Sequence, residues 1–265
     1  MHLYSRILGT GPPVVILHGL LGMSDNWMSV GRALAQAGFS VHLLDLRNHG
    51  RSPHADCHRY TDMTDDLLGY LMIHDLDQAS IVGHSMGGKL AMIFALLNPE
   101  KVRRLALIDI APVDYRKPGN TYHEQLLTTL LGIDLSSHSS LKSIHEEIAR
   151  RLGDGQLAMF LAKNITKTSP RGAYGWRCNL PVLQRHIRHL LIGLADLEAY
   201  GPCLVPSLFL KGNQSSYVLP EHETERLHFF PQSHLLGIDG AGHWLHSDQP
   251  QATVAALLAF LGVKP

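Results

Sequence analysis

Ser80-Ile81-Val82-Gly83-His84-Ser85-Met86-Gly87-Gly88-Lys89-Leu90 is the stretch that decides how this chain of 265 residues is read. Residues 80–83 form a short apolar run of the kind a buried strand needs. Beyond them Leu90, Ile93, Phe94 and Leu97 fall at i, i+3, i+4 and i+7, the spacing of a helix with one apolar face. A Gly-x-Ser-x-Gly therefore sits where a strand turns into a helix. The glycines flanking Ser85 leave room for a tight, strained turn that lifts its hydroxyl clear of the backbone. The helix N-terminus that follows directs N–H groups toward developing negative charge. Ser85 is thus a candidate nucleophile.

Outward from this junction, further strands are predicted at residues 4–8, 14–18, 40–45, 105–109, 207–211 and 233–238. Most are near-continuous apolar runs, which points to a largely parallel sheet covered on both faces. Val254, Leu257, Leu258 and Leu261 repeat the helical spacing near the C-terminus. The alternation stops after Asp109. Between residues 112 and 200 no strand is expected, whereas Leu141, Ile144, Ile148 and Leu152, then Leu157, Phe160, Leu161 and Ile165, then Leu183, Ile187, Leu190 and Leu194 all have helical spacing. The expected fold is α/β, a mostly parallel sheet flanked by helices, with residues 1–110 and 201–265 as its core and 111–200 as a helical insertion. Ligands of open α/β sheets bind outside the carboxyl ends of the strands, where this insertion is attached, so it is expected to cap the site.

Composition narrows the function. The 23 Lys and Arg balance 23 Asp and Glu with no run of like charge, so the chain offers no electrostatic footprint for nucleic acid. It has no stretch approaching the ~18 apolar residues that cross a bilayer. Met1-His2-Leu3-Tyr4-Ser5-Arg6 lacks a basic region followed by an apolar run. A soluble, cytoplasmic protein without a membrane partner is expected. Cys57, Cys178 and Cys203 form no Cys-x-x-Cys pair and are expected to be reduced packing residues. Of His18, His49, His84 and His243, none pairs as His-Glu-x-x-His would require, so neither a metal nor a cofactor is expected.

A serine hydroxyl needs a base, and the base needs an orienting acid. The candidate base is His243 in Gly240-Ala241-Gly242-His243-Trp244-Leu245-His246, where small residues free the loop to bring the ring to the turn; His246 competes with it. An oxyanion needs donors. His18-Gly19-Leu20-Leu21-Gly22, after the strand at 14–18, can offer the Leu20 N–H beside that of Met86. Asp45-Leu46-Arg47-Asn48-His49-Gly50-Arg51-Ser52 reads as a structural turn bracing this oxyanion loop.

Together His18-Gly19, Asp45-x-Arg47-x-His49-Gly50-x-Ser52, Gly83-His84-Ser85-Met86-Gly87-Gly88 and Gly242-His243 resemble the α/β-hydrolase superfamily over essentially the whole chain. More narrowly, Gly83 to Lys89, Ile108-Asp109-Ile110-Ala111-Pro112-Val113-Asp114-Tyr115, Trp176-Arg177-Cys178-Asn179-Leu180-Pro181 and Gly212-Asn213-Gln214-Ser215-Ser216-Tyr217-Val218 resemble the small YbfF-type carboxylesterases. The resemblance implies hydrolysis of short acyl esters and, in some members, acyl-CoA thioesters. The substrate is expected to touch His18, Gly19, His84, Trp176 and Trp244.

Many α/β-hydrolases place their acid after the strand that follows the insertion. Here that loop reads Lys211-Gly212-Asn213-Gln214-Ser215-Ser216, with no carboxylate before Glu221. Asp109 is preferred instead, because it ends an apolar strand expected to lie beside the one carrying Ser85, and the YbfF-type resemblance points to it too. Asp114, Glu221 and Asp239 remain alternatives, as does a plain capping role for Asp109. The expected activity is a metal-independent serine carboxylester hydrolase on small-molecule esters or thioesters. Its rivals are a carbon–carbon bond hydrolase or lyase on the same scaffold, and a ligand-binding receptor with a hydrolase fold.

Overall fold

In the computed structural model, which describes residues 1–168 and 173–262, strands and helices alternate through the first 108 residues. In order they are β1 (Ser5–Leu8), β2 (Pro13–Leu17), α1 (Met28–Gln36), β3 (Ser40–Leu44), α2 (Tyr60–Ile73), β4 (Ala79–His84), α3 (Met86–Leu97) and β5 (Val102–Ile108). The stretch after Asp109 holds α4 (Tyr122–Leu131), α5 (Leu141–Leu152), α6 (Gly155–Ala162), β6 (Ile165–Lys167), β7 (Tyr174–Trp176) and α7 (Leu180–Leu190). The chain then returns through β8 (Ser207–Gly212), α8 (Glu223–Phe229), β9 (Ser233–Ile238), α9 (Leu245–Asp248) and α10 (Pro250–Leu261).

Seven strands form one sheet in the order β1-β3-β2-β4-β5-β8-β9. Only β1 runs antiparallel to its neighbour; the other pairings are parallel. The expected adjacency of β4 and β5 is found, with His84 opposite Ile108. Period-two packing divides the core. Val15, Leu17, Ile81, Leu105 and Leu107 face α2, α3 and the inserted helices, whereas Val14, Ile16, Val82, Ala106 and Ile108 face α1 and α10. That double coverage explains why the central strands read as unbroken apolar runs.

Three expectations change. Residues 112–200 contain a short antiparallel hairpin, in which Ile165 pairs with Trp176. Ile165 therefore leaves the helix that Leu157, Phe160 and Leu161 do share, its apolar spacing having coincided with a turn out of α6. The helix α4 has no counterpart in the sequence reading, because Thr128 and Thr129 and a polar first turn blur its period. Finally, β9 is an edge strand, with Leu235 and Leu236 about two-fifths exposed rather than covered on both faces. Cys178 and Cys203 are buried and free, as packing residues should be, while Cys57 is exposed. No helix among the described residues is long and apolar enough to cross a membrane.

Candidate active site

Ser85 sits between β4 and α3 at φ 52°, ψ −117°, a left-handed conformation that a side-chain-bearing residue rarely holds. The neighbouring glycines permit this turn by lacking a Cβ: one at Gly83 would collide with Gly87 O and Gly88 Cα, and one at Gly87 with the carbonyls of Leu17 and His18. The Ser85 N–H donates to Ile108 O at 3.0 Å, which fastens the turn to the adjacent strand end. Met86 opens α3, so its N–H is among those that a helix N-terminus leaves free.

At the end of that adjacent strand Asp109 is also left-handed, with φ 50°, and wholly buried. Its Oδ2 accepts from His243 Nδ1 at 2.7 Å and from the Ser215 hydroxyl, and its Oδ1 accepts from Gly212 N–H at 3.1 Å. Three donors from two separate chain segments thus converge on one carboxylate. The loop after β8, which lacks a carboxylate, instead supplies two donors to Asp109. Asn213 turns away and bonds Asp239 at 2.6 Å; Asp114 pairs with Arg116.

His243 is about one-fifth exposed. Tyr217 stacks on its imidazole at 4.0 Å and 20°, and its carbonyl accepts from His84 Nε2 at 2.8 Å. The competitor His246 stacks on Trp27 at 4.2 Å instead. No hydrogen bond joins Ser85 to His243 among the described residues, a looseness common before substrate enters.

The loop at residues 18–22, expected to hold the oxyanion, is pinned from outside. Leu21, at φ 59°, donates its N–H to His49 Nε2 at 3.1 Å and accepts at its carbonyl from Asn164 Nδ2 at 2.6 Å. His18 Nε2 accepts from Leu46 N–H at 2.9 Å, and Asp45 accepts from the N–H groups of Ser24 and Arg51 at 2.6 and 2.7 Å. The Asp45–Ser52 turn therefore braces the loop through two imidazoles. Backbone N–H groups donate to their Nε2 atoms, so both rings carry their proton on Nδ1, where they donate to Gly19 O and Arg47 O. Burial favours this neutral form, lowering the pKa of His18 to about 4 and of His49 to about 3.

Ser85, His243 and Leu20 open on one cavity of about 470 Å³. Leu126, Leu157, Phe160 and Leu161 of the inserted helices give it an apolar wall, while Lys117, Asn120 and His123 add polar groups. Its size is that of a small-molecule site. His18, Gly19, His84 and Trp244 also line it, but Trp176 does not. That expectation is corrected: Trp176 lies on β7, tied to the hairpin and packed on the core beside Ile165. Tyr217 and Ser215 entered the sequence reading only within the Gly212–Val218 motif and were given no role, since nothing local marks a residue that acts by meeting partners far along the chain. Among the described residues no group of three or more His, Cys, Asp or Glu is arranged to hold a metal ion.

Residues 12–250 match the family described by the alpha/beta hydrolase fold. The chain is similar to the sn-1-specific diacylglycerol lipase ABHD11 of Mus musculus, with 37% identity over 95% of this chain and 81% of the mouse protein. It is also similar to esterase YbfF of Escherichia coli, with 32% identity over 94% of this chain and 92% of the bacterial one. A marine microorganism esterase of known structure superposes with a TM-score of 0.93 at 39% identity, covering 98% of this chain and 99% of that one. With a sheet of that winding, a serine on the turn after its fourth strand and relatives that are esterases and lipases, the chain belongs to the α/β-hydrolase family and is a hydrolase of the carboxylesterase type.

Proposed function

We propose that the chain hydrolyses short acyl esters, with acyl thioesters as a second class, through Ser85, His243 and Asp109. Ser85 Oγ attacks the acyl carbonyl as His243 Nε2 takes its proton. The N–H groups of Leu20 and Met86 receive the oxyanion, and His243 returns the proton to the leaving alcohol or thiol. Water then attacks the acyl-enzyme by the same steps, with His243 as base. Asp109 fixes the tautomer of His243 and balances the imidazolium charge. The inserted helices cap the site and hold the acyl group against Leu126, Leu157, Phe160 and Leu161.

The observation that carries this reading is the 2.7 Å bond from His243 Nδ1 to a fully buried Asp109. A carboxylate is costly to bury, and this one has its donors aligned toward a base that faces the cavity of Ser85. The test is a panel of nitrophenyl esters and acyl thioesters of increasing chain length, run with Ser85→Ala as control. Multiple turnover of the short members, lost in Ser85→Ala, is expected. Binding without turnover would favour a receptor, and turnover of carbon–carbon substrates alone would favour the lyase-type chemistry.

A further inference from the structure

Lys89 ends the motif that carries Ser85 and takes no part in the steps above, yet it is 1% exposed. A lysine is almost never buried so completely without a partner. Its Nζ donates to Ala111 O at 2.9 Å and to Val113 O at 2.8 Å, and it lies 5.2 Å from the centre of the Tyr115 ring. The carboxylates that act on it, Asp114 and Glu225, do so from a distance, and Asp114 is paired with Arg116. Burial lowers its pKa to about 7, so holding this group inside opposes its charged form.

Both carbonyls belong to the turn that Asp109 begins. Tyr115 closes that turn: its hydroxyl accepts from Ala111 N–H at 2.9 Å and donates to Tyr217 O at 2.6 Å. The Tyr217 ring is the one stacked on His243. One side chain on the helix of the nucleophile thus gathers the segment bearing the acid and, through Tyr115, the ring behind the base.

We propose that Lys89 is a positioning residue, clamping the Ala111–Val113 turn so that the Asp109 carboxylate meets His243 Nδ1 while the helix presents Ser85. The inference rests on the Ser85, His243 and Asp109 reading. It is tested with Lys89→Met, which keeps length but removes the donors, alongside Asp109→Asn and the double variant. Rates are taken per active site titrated with a fluorophosphonate, so loss of folded protein does not enter them.

Lys89→Met should lower kcat about 10- to 100-fold with KM within about twofold. The acid limb of kcat/KM should move to lower pH, because an imidazole that loses its carboxylate is easier to deprotonate. In the Asp109→Asn background the same change should cost less than about threefold, since a group that acts through the acid has nothing left to align. Unchanged kcat in Lys89→Met beside a collapse in Asp109→Asn overturns the clamp alone, as does an unmoved acid limb or a full effect in the double variant. Near-normal kcat in Asp109→Asn overturns the triad and the clamp together. If Lys89→Met does not fold, Tyr115→Phe carries the test; it should lower kcat and move the acid limb in the same sense, and no change in either overturns the proposal.

Discussion

Asparagine at position 109 should be the most informative single replacement. The residue is left-handed at φ 50°, a conformation that Asn tolerates as well as Asp, so the backbone is not disturbed as it would be by alanine. The amide can still accept from Gly212, but it supports the wrong tautomer of His243 and carries no charge. Asp109→Asn should therefore lower kcat by roughly 10³–10⁴-fold with the unfolding midpoint little changed, whereas Asn213→Ala should stay within about threefold. Steady-state kinetics of the two variants checks this. A fluorophosphonate should label the wild type once, at Ser85, and Ser85→Ala not at all; adduct mapping by mass spectrometry reads the outcome. That Ser85 and His243 belong to one candidate site was legible because each lies in a short glycine-bounded motif, and both line the same cavity. The surroundings of Asp109 were not, since its contacts reach 106 residues to Ser215 and 134 to His243, and no local pattern records such distances.

At the level of elements, the apolar wall contributed by α4 and α6 should set, on the proposed reading, how acyl length is read. Each methylene buried there is worth about 0.8 kcal/mol, so kcat/KM should rise about fourfold per carbon until the cavity ends and then fall. Phe160 packs against Trp244, next to His243, at 5.7 Å between rings. Phe160→Ala should flatten that rise while leaving acetyl ester turnover near normal, which a chain-length series on both proteins measures. The sequence showed α3, α5, α7 and α10 through clear periods of apolar residues. It hid the β6–β7 hairpin because three-residue strands are too short to display alternation, and it placed Trp176 in the site because motif membership carries no direction for a side chain.

The molecule as a whole should be sensitive to acid. His18, His49 and His58 are buried and neutral, with pKa values lowered by burial to about 4, about 3 and about 2. An unfolded imidazole titrates near 6.5, so the folded protein binds fewer protons below that pH. Their contribution is intact above pH 6.5 and erodes by about 1.4 kcal/mol per pH unit for each ring as pH falls toward the folded values. The midpoint of urea unfolding should accordingly drop steeply between pH 6.5 and 5. A largely parallel sheet with β5 beside β4 was legible from the rhythm of strands and helices; this histidine network was not, because 18 scattered imidazoles look alike until packing buries some of them. The placement of Asp109 just after β5 has a further consequence for how activity is born. Ser85 and Asp109, the proposed nucleophile and acid, flank one β4–α3–β5 unit, while His243, the proposed base, lies 134 residues beyond Asp109. Local contacts form ahead of distant ones. During synthesis the β4–α3–β5 unit emerges first, the residues that hold the Asp109 carboxylate, Gly212 and Ser215, about a hundred residues later, and His243 last; on the proposed reading, hydrolytic power switches on only when that C-terminal segment docks.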